Sequence, residues 1–166
     1  RFPKGAVHAD IPAFERHNGL DVLYRGESAD VLLVSIGAMA PIAVEAAGMA
    51  YREGVGVTVV DPLFVKPLPQ ALTTMARRYK SIVVLEDGIK HGGIASSVRE
   101  LLSDSSVDIP VHSIGVPLEF IEHSKRQEIL ADLGITVQNI ARSLVEANSG
   151  TIELAKPLQR DENVDR

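Results

Sequence analysis

Val57-Thr58-Val59-Val60-Asp61-Pro62-Leu63-Phe64-Val65-Lys66-Pro67-Leu68 is the stretch that decides the fold, because an apolar, β-branched run stops at Asp-Pro and is answered by Lys-Pro-Leu. From Val55 to Val60 the chain has four Val, one Thr and one Gly, which suits a strand covered on both faces, as parallel strands are. Pro62 and Pro67 are expected to exclude both ladder pairing and helix until Pro69, which can start one. The stretch predicts a buried parallel strand that delivers the chain to one edge of an α/β sheet. The carboxyl ends of such strands are where α/β proteins usually keep their chemistry.

Working outward, the same strand-then-helix unit recurs. Residues 31–36 read as a buried strand broken by Gly37, and Ile42, Val44, Ala46, Ala47, Met49 and Ala50 give residues 41–52 helical spacing. After the quoted stretch, Leu72, Met75, Ala76 and Tyr79 form the apolar face of another helix. Residues 82–85 are a third strand ending at Glu86-Asp87-Gly88, residues 94–102 a helix, and residues 111–114 a last parallel strand. This tandem argues for a parallel sheet with right-handed crossovers. Two closing helices are predicted over 125–133 and 137–147, parted by Gly134 and with Thr136 as an N-cap. Leu20 to Tyr24 is read as a short antiparallel edge strand. The fold class is therefore α/β, a three-layer sandwich on a mostly parallel five-stranded sheet. Residues 1–19 read as an irregular arm, 20–148 as the domain, and 149–166 as a disordered tail.

Composition narrows the function. The 166 residues suffice for one domain with a sizeable core. Phe and Tyr are few and Trp is absent, so that core is built of Val, Leu, Ile and Ala. A formal net charge of −5, with no Lys and Arg cluster interleaved with aromatics, argues against nucleic acid as a partner. The absence of cysteine removes disulfides, thiolate metal sites and Cys nucleophiles, and is compatible with a reducing cytoplasm, the expected location. No apolar run approaches the roughly 20 residues needed to span a bilayer, so no membrane partner is expected. The chain opens on Arg1 without a Met, which reads as a piece of something longer.

Candidate sites each have a plainer reading. Gly37, at a strand-to-helix turn, fits neither Gly-x-Gly-x-x-Gly nor a Walker sequence and reads as a turn glycine. Glu86, Asp87 and His91 among Gly88, Gly92 and Gly93 could be an acid/base or metal cluster, but carboxylates at a glycine-rich strand end more often cap a helix. His123 lacks a paired Asp or Ser in sequence. Lys66 is expected to pack its stem on an apolar rim with its head in water. His8, His17 and His112 show no pairing. Arg1 and Lys4 flank Phe2-Pro3, where two cations on a proline-stiffened arm could grip a phosphate or simply be solvated.

Arg1-Phe2-Pro3-Lys4-Gly5, the segment from Val59 to Leu68, Glu86-Asp87-Gly88 with Gly92-Gly93, and Ile114-Gly115-Val116-Pro117-Leu118-Glu119-Phe120-Ile121-Glu122-His123 occur in that order. Together they resemble the carboxy-terminal domain of the 1-deoxy-D-xylulose-5-phosphate synthase family, which is transketolase-like. The resemblance implies a full-length enzyme that uses thiamine diphosphate and Mg2+ to decarboxylate pyruvate and add the two-carbon unit to D-glyceraldehyde 3-phosphate. That is the first step of non-mevalonate isoprenoid synthesis, which also feeds thiamine and pyridoxal synthesis. It implies preceding amino-terminal and middle domains that hold the cofactor, the metal and the activating Glu, and a homodimer. It implies no catalytic, cofactor or metal residue in this stretch, and no catalysis by it alone. It places the acceptor's phosphate on Lys4, with Arg1 able to share it. Many relatives have Arg where Lys4 stands, and Lys lacks the bidentate fork. The alternatives are the matching domain of transketolase or of a 2-oxo acid dehydrogenase β subunit, or a stand-alone flavodoxin-like binding module.

Overall fold

The computed structural model describes residues 9–150. Six strands and five α-helices follow in order: β1 (Glu15–His17), β2 (Leu20–Tyr24), β3 (Val31–Ser35), α1 (Ala40–Arg52), β4 (Val57–Pro62), α2 (Ala71–Ala76), β5 (Ser81–Ile89), α3 (Ile94–Asp104), β6 (Val111–Val116), α4 (Arg126–Asp132) and α5 (Val137–Ser149). They form one sheet of order β1-β2-β4-β3-β5-β6. β4, β3, β5 and β6 are mutually parallel, and β1 and β2 run antiparallel at one side.

The apolar runs form central strands because both sheet faces are covered. Every residue of β3 is buried. Val31 and Leu33 face one core, with Val57, Val59, Val83 and Leu85. Leu32 and Val34 face the other, with Val60, Ile82 and Val84. The first core is closed by α1, α5 and Leu130 of α4, the second by α2 and α3. Each such aliphatic side chain contributes roughly 1.5–3 kcal/mol when buried. α1 presents Ala43, Ala46, Ala47 and Ala50, all fully buried. These methyl-sized residues at i, i+3, i+4 and i+7 let α1 lie close to Ile140, Ala141, Leu144 and Ala147 of α5. Thr136 caps α5 as expected, accepting a bond from the Asn139 amide at 3.3 Å.

Two expectations are corrected. The sheet has six strands rather than five, and Leu20–Tyr24 is not its edge. β1 is exposed throughout, so it has no apolar periodicity to reveal it. The signal lay in the turn: His17 pairs with Leu20 across Asn18-Gly19, both with positive φ (44° and 89°), the geometry of a tight Asn-Gly hairpin. Second, Pro62 takes a place in the ladder, opposite Leu20. It does so at the last position of β4, where a strand can give up a donor.

The amino end of β3 is fastened by one aspartate. Asp30 accepts bonds from the Gly56 amide at 2.9 Å and from the Ser28 hydroxyl, and its other oxygen pairs with Lys80 Nζ at 2.7 Å. Residues from the loops before β3, β4 and β5 thus meet on a single carboxylate.

Candidate functional site

The order of the parallel strands reverses at β3. The chain leaves β3 for β4 on one side, then crosses back to β5 on the other. In open α/β sheets, the carboxyl ends flanking such a reversal form the crevice in which ligands bind. Here those ends carry Ser35, Gly37, Asp61, Glu86 and Asp87.

Gly37 (φ 53°) turns the chain out of β3 into a short 3-10 helix, Gly37–Met39, and then α1. Its amide points to Asp61 Oδ1 at a long 3.4 Å. The turn reading of Gly37 holds, since a carboxylate rather than an open space faces this amide. Burial pushes the Asp61 carboxyl above its ordinary value. The Gly37 amide pulls the other way, and Asp21, directly opposite across the ladder, adds repulsion. Beside it, the buried Ser35 hydroxyl has no hydrogen-bond partner, a small standing cost.

Glu86 sits differently. It is buried, and its two oxygens accept bonds from the amides of Ile94 (3.0 Å) and Ala95 (3.2 Å) at the start of α3. A carboxylate there satisfies orphan donors and complements the helix dipole. Glycines make the room for it. A Cβ on Gly93 would overlap the Ile89 carbonyl and stand 2.5 Å from Glu86 Oε1, while one on Gly88 would stand 2.9 Å from Oε2. The glycine-rich cluster is a capping device, the plainer of its two readings.

Asp87 turns to a partner that sequence did not suggest. Arg126, at the start of α4, pairs with it at 3.1 Å and also lies 3.4 Å from Met39 Sδ. The contact spans 39 residues. No local spacing marks it.

His91 joins neither carboxylate in a hydrogen bond. It lines an open groove of about 760 Å³ together with Lys90, His112 and His123. The floor is apolar, with Ile129, Leu133, Ile135 and Ile140, and Glu119 and Asp132 add acid to the rim. Burial, then the nearby Arg99 cation, holds the His112 imidazole below its ordinary value. Among the described residues no acid or hydroxyl is hydrogen-bonded to His123, so the groove shows no assembled nucleophile and base. Nor, among them, do three His, Asp or Glu side chains converge to hold a metal ion. Lys66 is exposed, and His17 lies on the exposed strand β1. Arg1, Lys4 and His8 lie outside the described residues.

Comparison with known proteins supplies what the edge alone does not. The model of the transketolase C-terminal domain family matches residues 21–140. A 1-deoxy-D-xylulose-5-phosphate synthase from Parafrankia sp. (strain EAN1pec) is 46% identical over 151 residues, 89% of this chain and 23% of the relative. The protein of the same name from Leifsonia xyli subsp. xyli is 44% identical over 164 residues, covering 98% of this chain and 25% of its own length. The chain thus spans about a quarter of the length of these relatives. Among solved structures, a split-gene transketolase described as an inactive β4 tetramer superposes with a TM-score of 0.73 at 30% identity, covering 85% of this chain and 46% of that one. A transketolase from Campylobacter jejuni, 18% identical with a TM-score of 0.57 over 81% of this chain and 20% of that one, shares the fold.

Proposed function

We infer the function from one premise: the chain belongs to the transketolase C-terminal domain family. The observation that carries the reading further is the likeness, along nearly the whole chain, to relatives that share the name 1-deoxy-D-xylulose-5-phosphate synthase. On this reading the chain is the carboxy-terminal domain of a thiamine diphosphate-dependent transferase. That enzyme condenses pyruvate with D-glyceraldehyde 3-phosphate, with loss of carbon dioxide, in non-mevalonate isoprenoid biosynthesis. Thiamine diphosphate supplies the electron sink when bound, and Mg2+ its diphosphate anchor, both in the preceding domains. The enzyme works in the cytoplasm as a homodimer, and the isolated domain is inactive.

This domain's share is the acceptor. Lys4 holds the phosphate of D-glyceraldehyde 3-phosphate as a point charge, and Arg1 assists. The α/β body supports the dimer. The arrangement fits the division of labour seen at the carboxyl edge, where Glu86 and Asp87 are committed to amides and to Arg126.

Two measurements test this. The full-length protein should form the synthase product from pyruvate and D-glyceraldehyde 3-phosphate, whereas turnover of ketose phosphate donors instead would assign it to transketolase. Within the synthase, Lys4→Ala should raise KM for D-glyceraldehyde 3-phosphate by about tenfold or more, the worth of one charge-assisted contact, and leave KM for an unphosphorylated aldehyde nearly unchanged. Equal effects on both would remove Lys4 from the phosphate site.

A further inference from the structure

We propose that the carboxyl edge of the sheet is a docking surface for the part of the same polypeptide that precedes this domain, with Leu63, Phe64, Ile89, Leu118 and Phe120 as its apolar contacts. The proposal rests on the reading that the chain is one domain of a longer enzyme.

Among the described residues seven large apolar side chains stand exposed, and five of them lie at this edge, Phe14 and Tyr51 being the two elsewhere. Phe120 is 94% exposed, Leu118 73% and Phe64 67%, with Leu63 and Ile89 close to half. All five lie where parallel strands end: Leu63 and Phe64 directly after β4, Ile89 at the end of β5, and Leu118 and Phe120 just past β6. β4 and β6 are three strand positions apart, so the two apolar lobes stand about 15 Å from each other along one edge. Leu118 and Phe120 lie in the bend that follows β6. Scattered exposed apolar residues need no explanation, but a grouped set marks an interaction site. The domain's own packing gives these side chains nothing to do, whereas Glu86, on the same edge, is fully used.

The occupant follows from length and from polarity. Relatives matched along nearly this whole chain are about four times as long, so most of their polypeptide is available to cover this edge. Along the same edge lie Asp61, at the end of β4, and the Asp87–Arg126 pair, near the end of β5. That mixture of apolar lobes and polar groups suits a contact between domains of one chain, which is more polar than an obligate subunit interface.

The test uses the full-length protein carrying Phe120→p-benzoylphenylalanine, and separately Phe64→p-benzoylphenylalanine, both of which keep an aromatic ring at an exposed position. After irradiation, crosslinked product should run at single-chain mass, and its peptides should join position 120 or 64 to residues ahead of this domain. A product of two-chain mass would give the edge to a second copy and overturn the proposal, and so would the lack of any crosslink at both positions. The same preparation is assayed for synthase turnover. Crosslinking without turnover keeps the docking surface and sinks the functional reading, while turnover without crosslinking does the reverse.

Discussion

Two aspartates at opposite edges of one sheet are treated in opposite ways. At the amino edge, Asp30 is met by Lys80, Ser28 and the Gly56 amide, and these bonds hold its carboxyl down to about 2 against the cost of burial. At the carboxyl edge, Asp61 is half-buried with one long amide contact, and burial wins, pushing its carboxyl up. The first arrangement favours the charged form and the second opposes it. The amino edge is thus organised for stability, tying together the loops before β3, β4 and β5. The carboxyl edge accepts an under-partnered carboxylate and carries five of the exposed large apolar side chains, while an unpaired buried hydroxyl stands at each edge, Ser35 at this one and Ser81 at the other. Such local costs gather at surfaces with a job beyond folding.

Glu86 breaks the simple version of that contrast, being a stability element at the carboxyl edge, and it carries the largest expected effect. Gly93→Ala drives a methyl into the Ile89 carbonyl and the Glu86 carboxylate. Displacing Glu86 also uncaps α3. Loss of about 3–5 kcal/mol of folding stability is expected, combining backbone overlap with a lost buried cap. Urea unfolding of the chain measures it. A change within about 0.5 kcal/mol, the range of an innocuous surface substitution, would mean that Glu86 is not held as described.

Asp30→Asn sharpens the amino-edge half. The native carboxyl lies near 2 against an ordinary 3.8, so its contribution is fully present above the unfolded value and is lost as pH falls through the folded one. At pH 7 the variant should be less stable by about 1–2 kcal/mol, somewhat discounted because Lys80 is largely exposed. Between about pH 4 and pH 2 the parent should converge on the variant. Stability curves for the pair that stay parallel across that window would show that the ion pair contributes nothing.

The contrast between the edges was only partly legible in the sequence. Buried parallel strands announce themselves through runs such as Val31 to Val34 and Val57 to Val60, because burial on both faces requires unbroken apolar character. The helix stops at Gly54 and Gly134 and the cap at Thr136 are likewise local chemistry. The capping role of Glu86 was legible as the plainer reading of a carboxylate among glycines. The pairs Arg126–Asp87 and Lys80–Asp30 join residues 39 and 50 positions apart, and nothing local encodes them. Nor does sequence separate a Phe that fills a core from one that leaves it: Phe64 and Phe120 sit in apolar stretches, and only the strand ends place them in water. β1 was hidden by its exposure, although Asn18-Gly19 pointed to it.

The smallest expected effect is the most discriminating, since it has the opposite sign. Because Asp61 has a carboxyl raised above 3.8 in the folded chain, the folded state favours its protonated form. The favourable contribution is then full below the unfolded value and is lost as pH rises through the folded one. Asp61→Asn removes the charge, keeps an oxygen for the Gly37 amide, and relieves repulsion with Asp21 across the ladder. A gain of up to about 1 kcal/mol at pH 7 is expected, shrinking toward zero as the parent's carboxyl is protonated in acid. In the full-length protein the same substitution alters the polar part of that edge, so a gain in the domain accompanied by a loss of crosslinking at Phe120 would separate folding from docking at a single residue. Destabilisation at pH 7 would instead place Asp61 with Asp30 and erase the difference between the two edges.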